Sequence, residues 1–193
     1  MTTSRLEAFS DGVFAIAATL LILNVSAEGA PLGLQLLKIW PSYVAYAVSF
    51  ITIGIIWANH HTVMSQIAHV NRLFLLLNVL FLMVIAFIPF PTHVLAAHLH
   101  HDARTAAFFY GLTNVLMATA YVCLWFYAAR GRRLISPAAD PRMVSGISRA
   151  FLPGILIYTL ATLSALISAW LAVALFAAIA LFYVLESSLF GRS

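Results

Sequence analysis

From Phe151 to Phe190 the chain runs for forty residues, with no charge before Glu186. As a single helix this run would be about 60 Å long, twice the thickness of bilayer hydrocarbon. It must therefore fold back on itself, and the sequence places the turn near Ser168–Trp170. Four more apolar runs of membrane-crossing length precede it. The expected spans are about 5–25, 37–60, 72–95, 104–129, 151–168 and 170–189, making one six-helix transmembrane domain over 1–193. Pro41 suits the first turn of the second span, and Pro89 and Pro91 fall near the end of the third.

Composition agrees with an all-α polytopic membrane protein. Hydrophobic residues make up 63% of the chain and charged ones 8%, against about 25% charged in a soluble domain. This leaves no room for a soluble catalytic domain. Cys123 lies in an apolar run and reads as a buried small hydrophobe. Val25-Ser26-Ala27 loosely resembles a signal-peptide cleavage site, but Glu7 and Asp11 stand where such a peptide is basic, so the first run reads as a retained span.

The ten basic residues divide unevenly between the two sides. Arg5, Arg72, Arg130, Arg132, Arg133, Arg142, Arg149 and Arg192 fall on one side, and Lys38 and Arg104 on the other. The positive-inside rule makes the first side cytoplasmic, with both termini there. In this chain the arginines flank apolar spans, so they mark topology and contact anionic lipid rather than nucleic acid. Trp40, Tyr43, Tyr46, Trp125, Tyr127 and Trp170 lie near span ends and read as interfacial anchors.

The first span opens with Arg5, Glu7, Ser10 and Asp11. An ionisable residue at the edge of hydrocarbon is a functional candidate by default. On a helix, Phe9, Gly12, Ile16, Thr19, Leu20 and Leu23 form one stripe, while Asp11 lies about 140° from Ile16. Asp11 should therefore face a neighbouring helix. The second span ends Trp57-Ala58-Asn59-His60-His61 at the same depth, so Ser10 and Asp11 are expected to meet Trp57, Asn59 or His60. The plainer reading is an N-terminal anchor whose acids complement the helix dipole. An apolar stripe, taken alone, usually faces lipid or a packed core, and Thr19 can satisfy itself on its own backbone.

Other constellations carry less. Adjacent His60 and His61 point about 100° apart on a helix and suit a hydrogen-bonded network better than metal or haem. His98, His100, His101 and Asp102 read as a solvated outer loop rather than a metal site. Thr52-Ile53-Gly54-Ile55-Ile56 echoes a potassium filter, but sits inside a continuous apolar span where a filter's irregular backbone is not tolerated. No phosphate loop, paired catalytic carboxylates or metalloprotease motif occurs. The residues thus point to neither an enzyme nor a resident cofactor.

The segment Arg5-Leu6-Glu7-Ala8-Phe9-Ser10-Asp11-Gly12-Val13-Phe14-Ala15-Ile16 resembles the opening helix of the transmembrane protein 175 family, whose animal members are endosomal and lysosomal potassium channels. The Arg-x-x-x-Phe-Ser-Asp signature has no departure. Ala15–Leu21 and Trp57–His61 are also similar to the family, and the single signature resembles a bacterial one-repeat member. The resemblance implies a homotetramer in the bacterial inner membrane, with the first helix of each subunit around one pore. It makes Ile16 the hydrophobic constriction, Leu20 and Leu23 the next apolar rings, and Thr19 the hydroxyl layer that affects selectivity. Arg5, Phe9, Ser10 and Asp11 become a supporting network beside the pore. Potassium is then the expected permeant ion, with sodium and protons as further candidates, the lipid bilayer as partner, and widening at Ile16 as the gating step. The competing readings are a proton-coupled carrier with Asp11 and His60 as relay, and a His-ligated membrane redox protein.

Overall fold

The computed structural model describes residues 3–26, 31–99 and 101–190, with the side chains of all but Asn24 and 186–190. The described elements are helical: α1 (Thr3–Leu20), α2 (Leu32–Lys38), α3 (Trp40–Ser65), α4 (Arg72–Phe87), α5 (Pro89–His98), α6 (Ala103–Ala129), α7 (Pro141–Ser164) and α8 (Ala169–Phe190). Short 3-10 turns, Leu21–Asn24 and Arg130–Arg132, extend α1 and α6. Five stretches are long and apolar enough to cross a membrane: Thr3–Leu23, Trp40–Ser65, Arg72–His98, Ala103–Arg132 and Pro141–Ser164. Ala169–Leu185 is a shorter apolar helix.

Local chemistry accounts for the boundaries. Pro89 and Pro91 divide the third apolar segment at Ile88, whose backbone stays helical (φ −51°, ψ −39°), so α5 continues the path of α4. The Asn71 side chain accepts from the Phe74 amide at 2.9 Å and starts α4. Asp140 does the same for the Arg142 amide at 2.8 Å, with Pro141 in the first turn of α7.

That cap corrects one expectation. Helix α7, which carries the expected fifth span, begins at Pro141, ten residues before the expected 151, because Asp140-Pro141 is a strong helix start. Arg142 and Arg149 are consequently helical. The turn between α7 and α8 is also earlier than expected. It occupies 165–168, and Trp170 already lies in α8. Likewise α3 continues five residues beyond His60, with Thr62 and Ser65 bonding back to Ala58 and Thr62 carbonyls at 3.1 and 2.8 Å. The Trp57–His61 segment is therefore helix interior rather than helix end.

Two further readings change. Trp125 is fully buried, not interfacial, because its indole N–H finds the Ser148 hydroxyl at 2.9 Å. Cys123, two residues earlier, is exposed on the outer side of α6. Trp40 and Trp170 do pair at one end of α3 and α8, stacked with centroids 5.2 Å apart.

The core forms where α6 runs between α4, α5, α7 and α8, while α1 packs on α3 and α4. Gly111 permits the close approach of α6 to α7: a Cβ there would lie 2.5 Å from Thr162 Oγ1. At the Arg-rich end the α3–α4 and α6–α7 loops are stitched by Ala68 N–H to Leu134 O (3.0 Å) and Ser136 N–H to Gln66 O (2.8 Å). Arg72 and Arg130–Arg133 thus share one end of the molecule.

Candidate functional site

Helix α1 has three faces. Leu6, Ser10, Phe14, Ala17 and Leu21 are buried at spacings of four, four, three and four. This is the stripe expected of a helix packed on one side. The second face is the one picked out by angle. Ile16 is 61% exposed, Leu20 42% and Leu23 73%, and Phe9 and Thr19 lie open beside them. Exposed apolar side chains are ordinary toward lipid, so exposure alone does not distinguish lipid from a partner subunit.

Asp11 occupies the third face, about 100° from the buried stripe. Its Oδ1 accepts the Trp57 indole N–H at 2.8 Å. Both partners are exposed in the single subunit.

A second polar chain begins one residue earlier and runs into the core. Ser10 donates to the Leu6 carbonyl at 2.9 Å and accepts from Asn78 Nδ2 at 3.1 Å. Asn78 Oδ1 lies 2.9 Å from His60 Nε2. Because the amide nitrogen donates to Ser10, the oxygen must accept, which assigns the proton of His60 to Nε2. Ser10, His60 and Asn78 are all buried. The imidazole packs beside two phenyl rings, Phe81 nearly parallel at 5.8 Å and Phe14 tilted at 5.6 Å, and the three form a triangle because Phe14 and Phe81 are themselves 6.0 Å apart.

Of the residues singled out in sequence, Ser10, Asp11, Trp57 and His60 are drawn into these two chains. Arg5 is exposed and Asn59 half-buried, and neither side chain hydrogen-bonds another described residue. Asp11 and His60 do not bond each other, so the two halves of the supposed proton relay belong to different chains of contacts. His60 is enclosed by aromatic rings and committed to Asn78, a poor arrangement for haem ligation. His100 lies outside the described residues. Among those described, no group of three His, Cys, Asp or Glu gathers as a metal site, and His98 Nδ1 donates to its own helix at Val94 O (2.9 Å).

Asn78 is the residue that sequence reading missed. It is the lone amide in the apolar run of α4, and a buried amide in hydrocarbon must find partners. That was the available signal.

Residues 5–89 match a family model described as endosomal/lysosomal potassium channel TMEM175. A potassium channel of Streptomyces collinus is 45% identical over 187 residues, covering 94% of this chain and 91% of its own. The chain belongs to the TMEM175 family. A potassium channel of Chamaesiphon minutus is 39% identical over 193 residues, covering 96% of this chain and 95% of its own. The crystal structure of a lysosomal potassium-selective channel TMEM175 homologue from Chamaesiphon minutus superposes with a TM-score of 0.88 at 38% identity, covering 96% of this chain and 97% of that one. The stretch matching the TMEM175 model contains both polar chains and the whole exposed stripe of α1.

Proposed function

We propose that this chain is a potassium-permeable leak channel of a bacterial inner membrane, formed by four copies with α1 of each around a central pore. Ile16 makes the narrowest ring, and Leu20 and Leu23 make the rings beyond it. The observation that carries this reading is the division of α1 into an open apolar face, a buried stripe packed on its own subunit and a flank held through Asp11. In a TMEM175 chain, the open face is the one available to a common axis.

Ile16 has no oxygen with which to replace an ion's hydration shell. Ions therefore cross its ring hydrated or against a dewetting barrier, which makes the ring a gate. Thr19 supplies the complementary chemistry. Its hydroxyl proton is committed to Ile16 O at 2.9 Å, so its oxygen lone pairs are what remain to face a cation. The potassium channels of Streptomyces collinus and Chamaesiphon minutus support potassium as the permeant ion. Sodium and protons are secondary candidates. No catalytic chemistry is assigned.

The five long apolar stretches together with α8 give six spans, consistent with both termini and the Arg-rich loop on the cytoplasmic side. Arg5, Phe9, Ser10, Asp11, Trp57, Asn59 and His60 are assigned to supporting α1 rather than to touching the ion. Planar-bilayer recording of the purified protein tests the proposal. Expected is passive current that reverses at the potassium equilibrium potential under a potassium gradient, and a tetramer by mass. Flux that requires a proton gradient would replace the channel with a carrier.

A further inference from the structure

The stitched end of the molecule holds a basic cavity that ion passage does not use. Phe126, Tyr127, Arg130 and Arg133 line an open recess of about 370 Å³ where α6 gives way to its 3-10 turn. The local fold prepares this recess. Asn71 Nδ2 donates to the Tyr127 hydroxyl at 2.8 Å and fixes that ring. The Arg133 guanidinium then lies over the ring, 5.1 Å from its centroid.

The three arginines of the turn differ in what they have left to give. Arg132 is spent on the loop, donating to Ser136 O at 3.2 Å and Ala139 O at 3.1 Å. Arg130 and Arg133 face the recess and form no ion pair with a described acid. The negative end of the α6 dipole would oppose an anion. Leu134 N–H covers one terminal carbonyl, that of Ala128 at 3.1 Å, and two guanidinium groups supply the opposing charge.

We infer that this recess binds the phosphate of an anionic phospholipid from the cytoplasmic leaflet. Planar guanidinium groups match phosphate oxygens in pairs. Basic pockets beside membrane helices on that side recognise such headgroups. The apolar wall of Phe126 and Tyr127 favours a lipid over a free phosphate, because it continues onto the membrane-crossing part of α6. The inference uses the proposed topology for the leaflet only and does not depend on channel activity.

The test is native mass spectrometry of the full-length, delipidated protein titrated with dioleoylphosphatidylglycerol or dioleoylphosphatidylcholine. R130Q/R133Q removes both guanidinium contacts and is expected to weaken phosphatidylglycerol binding about tenfold, or about threefold for each. R142Q/R149Q removes the same charge outside the recess and should weaken binding far less than R130Q/R133Q. Arg130→Gln alone keeps the Arg133–Tyr127 contact and should weaken binding about threefold, a partial loss of the same interaction. That single variant carries the test should the double variant not fold. Equal losses in both double variants, no loss in Arg130→Gln, or equal binding of phosphatidylcholine would overturn the site. Full displacement of phosphatidylglycerol by inorganic phosphate would make it a phosphate site instead and overturn the lipid assignment.

Discussion

Trp57 reaches from α3 to Asp11 on α1 at 2.8 Å, on a flank about 140° around the helix from Ile16. Asp11 is thereby engaged sideways, and from Phe9 to Leu23 the face carrying Ile16 holds no charge. Under the proposed function, this relationship separates holding the helix from controlling the ion, so the two are expected to be perturbed independently.

Trp57→Phe keeps the ring and removes the donor. It should alter open probability or tetramer recovery by several-fold and leave unitary conductance unchanged, as read by single-channel recording and size-exclusion chromatography. Asp11→Ala should do the same more strongly. A normal tetramer with normal open probability in both variants would show that the contact does not hold α1.

Ile16→Asn should raise resting conductance. If the ring contributes on the order of 1.4 kcal/mol to the barrier, the increase is about tenfold. Thr19→Val serves as the comparison, since it keeps size while removing the hydroxyl, and should shift the potassium-to-sodium permeability ratio more than the current. Unchanged current in Ile16→Asn would move the constriction elsewhere.

Asn78→Leu strands the buried Nε2–H of His60. A donor left unpaired in the interior costs about 1–3 kcal/mol, or roughly 2–4 °C in Tm per kcal/mol for a chain of this size. Replacing both partners, as in Asn78→Leu with His60→Phe, should recover much of the loss, because no polar group is then stranded. Thermal unfolding followed by tryptophan fluorescence distinguishes this from simple loss of packing, for which the second substitution brings no recovery.

The contrast between Asn78 and Asp11 shows what the sequence makes legible. The spans follow from hydropathy, and the open stripe of α1 and the lateral direction of Asp11 follow from the 3.6-residue period alone. Asn78 carries no charge and breaks no period, so only its partners reveal it. The destiny of Trp125 likewise depends on Ser148, 23 residues away in sequence. The turn before α8 falls earlier than hydropathy suggests because Ser164, Ser168 and Trp170 offer similar punctuation, and no charge decides among them.

Gly111→Ala should destabilise the α6–α7 pair, since the added methyl would meet Thr162 Oγ1 at 2.5 Å and Thr162 Cβ at 2.9 Å. Overpacking of this kind costs about 1–3 kcal/mol. Thr162→Gly in the same chain should restore Tm, whereas Thr162→Ala, which keeps the Cβ, should restore it only in part. No drop in Tm for Gly111→Ala would mean that the two helices separate freely.

The hydrogen bonds of Ser10 and Asp11 tie α1 down near its base. From Phe14 to Leu23 no described side-chain hydrogen bond joins it to another helix. Mechanically α1 is a lever whose foot is pinned by hydrogen bonds and whose upper part is held by the packing of Phe14, Ala17 and Leu21 alone. Measured from Asp11 at 1.5 Å per residue, Ile16 stands about 7.5 Å up the lever and Leu23 about 18 Å. Any tilt about that foot sweeps Leu23 more than twice as far as Ile16, whereas a twist about the helix axis turns both equally. In the proposed tetramer, tilting would therefore widen the outer rings before the inner one, and Ile16, close to the pivot, would be moved most effectively by twist.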